Sequence, residues 1–200
     1  MFLQRHGEST TNLTKIFTCR KLDPCLTKEG RRQMEDVVPY YASQKIGLII
    51  TSPSKRAVES AEILGTRLGI RPEIKECLLE VDVGDLEGES ERDPVLLRQF
   101  FSVVEDWLLH KKDIRFRGGE SWSEVEKRLK ELDSLMSTGP AIFVGHSTLF
   151  AVFLGTRGIA FRHVEELFLP RAGIAKYSPS ERNWSMHRGV SESTHKEETR

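Results

Sequence analysis

Short runs of branched apolar residues alternate with amphipathic stretches along most of this chain. The runs are Met1–Gln4, Leu48–Thr51, Ala141–Val144, Gly173–Tyr177 and Trp184–His187, with a weaker one near Ile74. This alternation is typical of strands separated by crossover helices. The first three runs are apolar enough to be buried parallel strands. The pattern therefore predicts an α/β fold with a parallel core to its sheet.

Four amphipathic segments between these runs carry helix-start signals. The signals are Thr27, Ser54, Pro94 and the capping box of Ser121 with Glu124. Ser and Thr accept hydrogen bonds from the first turn of a helix, and proline suits its first position. Pro39 lies inside the first segment and is expected to kink or shorten that helix, because proline removes an internal hydrogen bond.

The bulk composition predicts one ordinary domain. A chain of 200 residues fills one core well, and we expect the domain to cover residues 1–188, followed by a polar tail at 189–200. Lys+Arg and Asp+Glu both number 30, so no large field favours nucleic acid. The three cysteines form no CxxC pair, which predicts neither a disulfide framework nor a zinc site.

The same sequence gives no sign of a membrane protein. No apolar stretch approaches the roughly 20 residues that cross a bilayer, and the first residues lack the pattern of a signal peptide. We therefore expect a cytoplasmic protein, with no membrane or nucleic-acid partner, that acts as a monomer or a homodimer.

Polar clusters directly follow the three apolar strands. They are Arg5–Glu8, Ser52–Arg56 and Gly145–Thr148. Open α/β sheets bind ligands beyond the carboxyl ends of their strands. If the strands are parallel neighbours, two histidines and two arginines converge on one small volume.

Such a group suits a phosphate ester. A neutral imidazole is a nucleophile when a hydrogen bond to its other nitrogen fixes the tautomer, and a carbonyl near Gly7 could supply that bond to His6. Guanidinium groups such as Arg5 and Arg56 match phosphate oxygens. A carboxyl group must also donate and accept a proton. On physical grounds Glu80 and Asp82 are equal candidates for that role.

A series of short motifs then recurs in order along the chain. They are Arg5–Glu8, Asn12, Phe17-Thr18, Leu26–Gly30, Ser52–Ala57, Ser60–Leu64, Leu79-Glu80, Gly84–Gly88, Gly118–Ser121 and Val144–His146. Together they resemble the histidine phosphatase superfamily, also called phosphoglycerate mutase-like. The resemblance implies a three-layer α/β/α sandwich with a mostly parallel central sheet.

The resemblance also implies roles for individual residues. His6 becomes the phosphohistidine, while Arg5, Arg56 and His146 hold the transferred group. Glu80 becomes the proton donor and acceptor, in preference to Asp82, Asp85 and Glu87. Two further positions, Asn12 and Thr18, match residues that touch the phosphate or the substrate. No metal and no organic cofactor is implied.

The resemblance leaves the reaction open between two enzymes and a binding module. The segment Glu89–Arg117 is short for a mutase insertion, which favours a metal-independent phosphomonoesterase of the α-ribazole or broad-specificity type. It would act on a small phosphorylated metabolite and release inorganic phosphate. A phosphoglycerate mutase and a catalytically idle phosphoryl-binding module are the alternatives. Four arginines either line the mouth of the pocket or are solvated: Arg92, Arg98, Arg115 and Arg117.

Overall fold

The computed structural model of the chain describes residues 1–136 and 139–187. Its strands are β1 (Phe2–Arg5), β2 (Leu48–Thr51), β3 (Glu73–Ile74), β4 (Ala141–Gly145), β5 (Ile174–Ser178) and β6 (Asn183–His187). Its α-helices are α1 (Thr10–Thr14), α2 (Lys28–Ala42), α3 (Lys55–Leu68), α4 (Pro94–Leu108), α5 (Trp122–Met136) and α6 (Ser147–Thr156). The predicted tail at 189–200 lies outside the described residues, so the domain boundary stays a prediction.

The six strands form one mixed sheet in the order β3-β2-β4-β1-β5-β6. The strands β3, β2, β4 and β1 are mutually parallel, and β5 and β6 complete the sheet in antiparallel pairing. The three apolar runs predicted to be buried and parallel are therefore the centre of the sheet. The weak run near Ile74 forms only a two-residue edge strand.

Two apolar cores lie on opposite faces of this sheet. Successive residues of a strand point to opposite faces, so Leu3 and Phe143 pack into one core while Phe2 and Ile142 pack into the other. Helices α2 and α3 cover the face with Phe2, and α4, α5 and α6 cover the face with Leu3. The predicted three-layer α/β/α sandwich is confirmed.

The helix-start predictions hold, with one difference. The Thr27 side chain accepts a hydrogen bond from the Gly30 N–H, and Ser121 and Glu124 bond each other's backbone N–H groups. Ser54 precedes α3, but its hydroxyl lies 3.3 Å from Ser52 Oγ and makes no capping hydrogen bond to the helix.

The prediction that Pro39 shortens its helix is wrong. Helix α2 continues to Ala42, three residues beyond the proline. Met34 and Val37 before it and Tyr41 after it are all buried, and the Tyr41 hydroxyl donates to Gln4 in the sheet. Packing on both sides of Pro39 outweighs the hydrogen bond that proline cannot make.

In the described part of the chain, every helix falls short of the length and apolar character that crossing a membrane requires.

Candidate active site

Three parallel strands end at the same edge of the sheet and bring most of the predicted site residues around one cavity. Arg5 at the end of β1 is in register with Gly145 at the end of β4, and β2 ends alongside them. The cavity has a volume of about 420 Å³, which suits a small molecule. Six predicted site residues line it: Arg5, His6, Asn12, Thr18, Arg56 and Glu80.

The His6 ring is held in one tautomer by its two neighbours. Its Nδ1 lies 2.7 Å from the Gly7 carbonyl oxygen, and its Nε2 lies 3.3 Å from Nε of Arg56. A carbonyl can only accept and a guanidinium can only donate, so Nδ1 carries the proton and Nε2 carries the lone pair. The His6 Nε2 atom is therefore the nucleophilic position.

Gly7 is needed because two backbone segments approach each other closely at this position. Its backbone is outside the left-handed region, but a Cβ at this position would collide with the Gly30 carbonyl oxygen. The chain after β1 packs directly against the start of α2, and only glycine permits that approach. The contact fixes the carbonyl that orients His6.

His146 lies behind His6 and does not line the cavity surface. It is fully buried, and the centroids of the two imidazole rings are 5.3 Å apart. Its Nε2 is 2.8 Å from Ser52 Oγ, at the end of β2. Its Nδ1 is buried without a hydrogen-bond partner.

Two guanidinium nitrogens share this unpartnered state. Arg5 donates from Nη1 to the Leu169 carbonyl, and Arg56 donates from Nη2 to the Cys19 carbonyl, yet Arg5 Nε and Arg56 Nη1 are buried and unpaired. A buried donor left unsatisfied costs about 1–3 kcal/mol. Among the described residues, three polar nitrogens without protein partners therefore lie beside one nucleophile. An anion would satisfy their hydrogen bonds.

Burial sets the charge of these groups. Desolvation, then the Arg56 charge, holds the pKa of both His6 and His146 well below its usual range. Both imidazoles are therefore neutral near pH 7. Burial also lowers the pKa of Arg5, to about 10, so this guanidinium keeps its positive charge.

The neutral histidines predict a loss of stability in mild acid. Below the ordinary histidine pKa of 6.5, the unfolded chain binds protons that the folded chain excludes. The contribution of each neutral histidine to the free energy of unfolding is therefore complete above this pH. Between this pH and the lower pKa of the folded state, it falls by about 1.4 kcal/mol per pH unit for each histidine. Urea unfolding in phosphate-free buffer between about pH 7 and pH 5 measures the slope.

Matched variants assign this slope to the site. His146→Gln is expected to reduce it by about 1.4 kcal/mol per pH unit, and His110→Gln, at an exposed histidine beyond α4, should leave it unchanged. An equal slope in all three proteins would show that the buried imidazoles are not the source.

Glu80 lies at the cavity with its carboxylate fixed by backbone donors. Its Oε1 accepts from the N–H groups of Val81 and Leu149, each at 2.9 Å, and its Oε2 accepts from Thr148 N–H at 3.1 Å. Thr148 and Leu149 belong to the first turn of α6, where a negative charge is stabilised. Glu80 is 7% exposed, and it lines the same cavity as Arg5 and Arg56.

The three competing carboxylates lie elsewhere, since none lines the cavity. Asp82 accepts from Gly84 N–H, and Asp85 pairs with Arg117 at the surface. Glu87 accepts from the N–H groups of Cys19 and Leu22 and from the Cys19 thiol. The geometry therefore separates Glu80 from Asp82, which sequence reasoning alone could not do.

Cys19 is part of the wall of the cavity, not a reactive group. Burial, then the hydrogen bond to Glu87, raises the pKa of its thiol far above the usual range. Burial opposes ionisation of Glu87, but the hydrogen bonds from Cys19 and the neighbouring backbone lower the pKa of this carboxyl to about 2. The pair orders residues 19–22, and the Cys19 carbonyl then fixes Arg56.

Cys19, Asp82 and Glu87 also form a group whose ligand atoms lie within 4.8 Å of one another, found in a search of the described residues. Within this group the Cys19 thiol donates to the Glu87 carboxylate. The donor set therefore fits a hydrogen-bonded brace of the loop.

Asn12 and Thr18 line the cavity, but their oxygens are already engaged. The Asn12 Oδ1 atom accepts from the backbone and hydroxyl of Ser9, and Thr18 Oγ1 donates to the Ile16 carbonyl. The Asn12 amide nitrogen is the group left for a ligand. A contact of either residue with substrate stays a prediction.

Sequence reasoning missed the groups that hold the site from behind. Arg128 donates to the Cys77 and Leu79 carbonyls and pairs with Glu120, while Glu120 accepts from Asp82 N–H. These contacts brace both sides of Glu80 over long sequence separations. No local pattern near Arg128 marks this role, although Glu120 lies in a motif that did match.

Comparison with known proteins agrees with this geometry. A model of the histidine phosphatase superfamily, branch 1, matches residues 1–191. A putative phosphoserine phosphatase 2 of Hydrogenobacter thermophilus is 28% identical over 187 residues, covering 88% of this chain and 87% of the relative. A probable phosphoglycerate mutase, GpmB of Yersinia enterocolitica, is 28% identical over 193 residues, or 92% and 86% of the two chains.

A solved structure shares the whole fold. The mycobacterial glucosyl-3-phosphoglycerate phosphatase Rv2419c, complexed with VO3, superposes with a TM-score of 0.76 at 22% identity, covering 94% of this chain and 97% of that one. At this identity the likeness concerns the fold alone, whereas the family model covers nearly the whole sequence. The chain belongs to the histidine phosphatase superfamily.

Proposed function

We propose that this protein is a phosphomonoester hydrolase that forms a phosphohistidine on His6. The observation that carries the proposal is the set of unpaired buried nitrogens of Arg5, Arg56 and His146 around the neutral His6 ring. A phosphoryl group placed there satisfies all three. Phosphoryl transfer needs mainly such positioning and charge stabilisation.

The first step transfers the phosphoryl group to the protein. The lone pair of His6 Nε2 forms a bond to phosphorus while the bond from phosphorus to the ester oxygen breaks. Glu80 gives a proton to the departing oxygen, and the N–H groups of Val81, Thr148 and Leu149 stabilise the carboxylate that results. The new positive charge on the imidazole is stabilised because Nδ1–H donates to the Gly7 carbonyl.

The second step returns the protein to its starting state. Water attacks phosphorus, Glu80 accepts a proton from that water, and the bond from phosphorus to Nε2 breaks to release inorganic phosphate. Arg5 and Arg56 stabilise the negative charge on the phosphoryl oxygens in both steps. His146 donates from Nδ1 when Ser52 Oγ donates to its Nε2, which lies 2.8 Å away.

The charge of the cavity supports hydrolysis over the mutase reaction. A phosphoglycerate mutase must also hold the carboxylate of its substrate. Among the described residues that line the cavity, the only cationic side chains are Arg5 and Arg56, which face the phosphoryl position. The arginines that the sequence left open at the mouth, Arg92, Arg98, Arg115 and Arg117, are absent from this lining.

Release of phosphate from simple phosphomonoesters in the presence of a chelator tests the proposal. We expect hydrolysis to continue at the rate seen without the chelator, because the proposed steps use side chains alone. Inorganic phosphate is the measured product, with free magnesium and zinc added back in a control. Loss of activity on chelation and its return with metal would overturn the metal-independent mechanism.

Two other outcomes of that assay identify the alternatives. Movement of phosphate between carbons of phosphoglycerate, dependent on a bisphosphate primer, would identify a mutase. Binding of inorganic phosphate without hydrolysis of any ester would identify a binding module. A cytoplasmic location and a monomer or homodimer stay predictions from the sequence.

A further inference from the structure

The cavity continues beyond the phosphoryl position into an aromatic region. Four rings, which we call the aromatic wall, line it: Phe17, Phe100, Phe101 and Phe168. Phe100 contacts the other three, with centroid separations of 5.3 Å to Phe17, 5.2 Å to Phe101 and 6.0 Å to Phe168. Phe101 and Phe168 are half-buried, so part of each ring faces the cavity.

Two carboxylates lie in the same part of the lining. Glu91 is half-buried and Glu165 is exposed, and both border the cavity. Neither side chain forms an ion pair or a hydrogen bond with another described residue. Burial lowers the pKa of Arg5, and the Glu91 charge is close enough to the phosphoryl end to offset a small part of that lowering. These carboxylates are thus free to meet a ligand.

The positive charges near the cavity are already assigned. Arg5 and Arg56 face the phosphoryl group, and the nearby Arg171 pairs with Glu8 at 2.9 Å. No lysine lies among the described lining residues. A second anionic group on the substrate would therefore meet two carboxylates and apolar rings without a compensating cation.

We infer that the preferred substrate is a phosphomonoester whose alcohol carries an aromatic or similarly apolar ring and a positively charged amine. This inference rests on the proposed hydrolase activity and adds the chemistry of the leaving group. Apolar rings bury area against the aromatic wall, and an ammonium group interacts favourably with ring faces. Glu91 and Glu165 add attraction for the same charge.

Three benzyl phosphates that differ only in the para substituent test the charge preference. They are 4-(aminomethyl)benzyl, 4-ethylbenzyl and 4-(carboxymethyl)benzyl phosphate, whose reacting oxygens are insulated from the substituent. We expect kcat/KM for the ammonium ester to exceed that for the carboxylate ester by about tenfold or more. The difference should lie mainly in KM, because the charged group is remote from the reacting atoms.

Variants assign the preference to the two carboxylates. In the double variant Glu91→Gln with Glu165→Gln, the kcat/KM values for the ammonium and carboxylate esters are expected to agree within about twofold. Glu166→Gln, at an exposed neighbour outside this cavity, should keep the wild-type ratio. A ratio that Glu166→Gln lowers equally would overturn the assignment.

The aromatic wall has its own comparison. Benzyl phosphate is expected to exceed ethyl phosphate in kcat/KM by about tenfold or more, and Phe101→Ala should reduce that advantage severalfold. Equal kcat/KM of the wild type for the carboxylate and ammonium esters would overturn this inference alone. Equal kcat/KM for ethyl and benzyl phosphate would do the same. Hydrolysis of none of these esters would instead overturn the hydrolase proposal, and the inference with it.

Discussion

Replacement of His6 with alanine is expected to lower kcat for every phosphomonoester by about four to six orders of magnitude. Among the described residues, His6 Nε2 is the only atom that combines a lone pair, a fixed tautomer and a position among the unpaired nitrogens of Arg5, Arg56 and His146, and the variant lacks it. Steady-state release of inorganic phosphate measures the loss. Incubation with labelled substrate followed by rapid quenching measures the phosphoprotein, which should be absent from His6→Ala.

His146→Gln is the matched control for this result. It changes the neighbouring buried imidazole but leaves the proposed nucleophile, so we expect a loss of about two to three orders of magnitude. Labelled phosphate should still appear on the protein, in a form stable to base and released by acid. Labelling of His6→Ala at the wild-type level would contradict the proposal, because the phosphoryl group would then reside on another residue.

The site could be predicted from the sequence where its residues follow strand ends. Arg5 ends β1, His6 follows it and His146 follows β4, and parallel pairing of those two strands brings the three residues together. Their partners could not be predicted in this way. The contact of Ser52 with His146 spans 94 positions, and that of Leu169 with Arg5 spans 164. Such contacts depend on strand order and register, which one sequence does not specify.

The choice between Glu80 and Asp82 shows a second limit. Glu80 and Asp82 are two positions apart, so in an extended segment their side chains would share a face and be equal candidates. The segment instead lies between two 3-10 helices, outside any strand. Glu80 turns toward the first turn of α6 while Asp82 turns to its own loop. Period-two reasoning therefore does not apply, and only the tertiary contact separates the two carboxylates.

The fold was predictable wherever local pattern and packing agree. Buried apolar runs identified the central parallel strands, and caps identified the long helices. The connection between β5 and β6 is too short for a crossover, which implies that these two strands are antiparallel. The antiparallel direction of β5 against β1 had no local signal in the sequence, because it depends on the assembled sheet. At Pro39 the expected shortening is wrong, since buried residues on both sides of it keep α2 continuous to Ala42.

Replacement of Glu80 with glutamine is expected to lower kcat for alkyl phosphates by about two to four orders of magnitude. Glutamine can keep the hydrogen bonds from Val81 and Leu149 through its oxygen, but it cannot donate a proton to the departing alkoxide. A 4-nitrophenyl ester needs no such donor, so the first step should be much less affected. The second step remains slow, because no carboxylate accepts a proton from the attacking water. The product 4-nitrophenol should therefore appear in a burst of about one equivalent, followed by slow turnover.

Two aspartates make this experiment decisive. Asp85→Asn, at an exposed residue outside the cavity, should match the wild type with both esters. Asp82→Asn can keep its oxygen on Gly84 N–H and should show no burst.

Urea unfolding of each variant separates lost stability from lost chemistry, since the glutamine nitrogen would face Thr148 N–H. A burst in Asp82→Asn with normal turnover in Glu80→Gln would transfer the proton-carrying role to Asp82. With Glu80 as assigned, one carboxylate serves both steps, because the leaving oxygen and the attacking water occupy the same side of the phosphoryl group in turn.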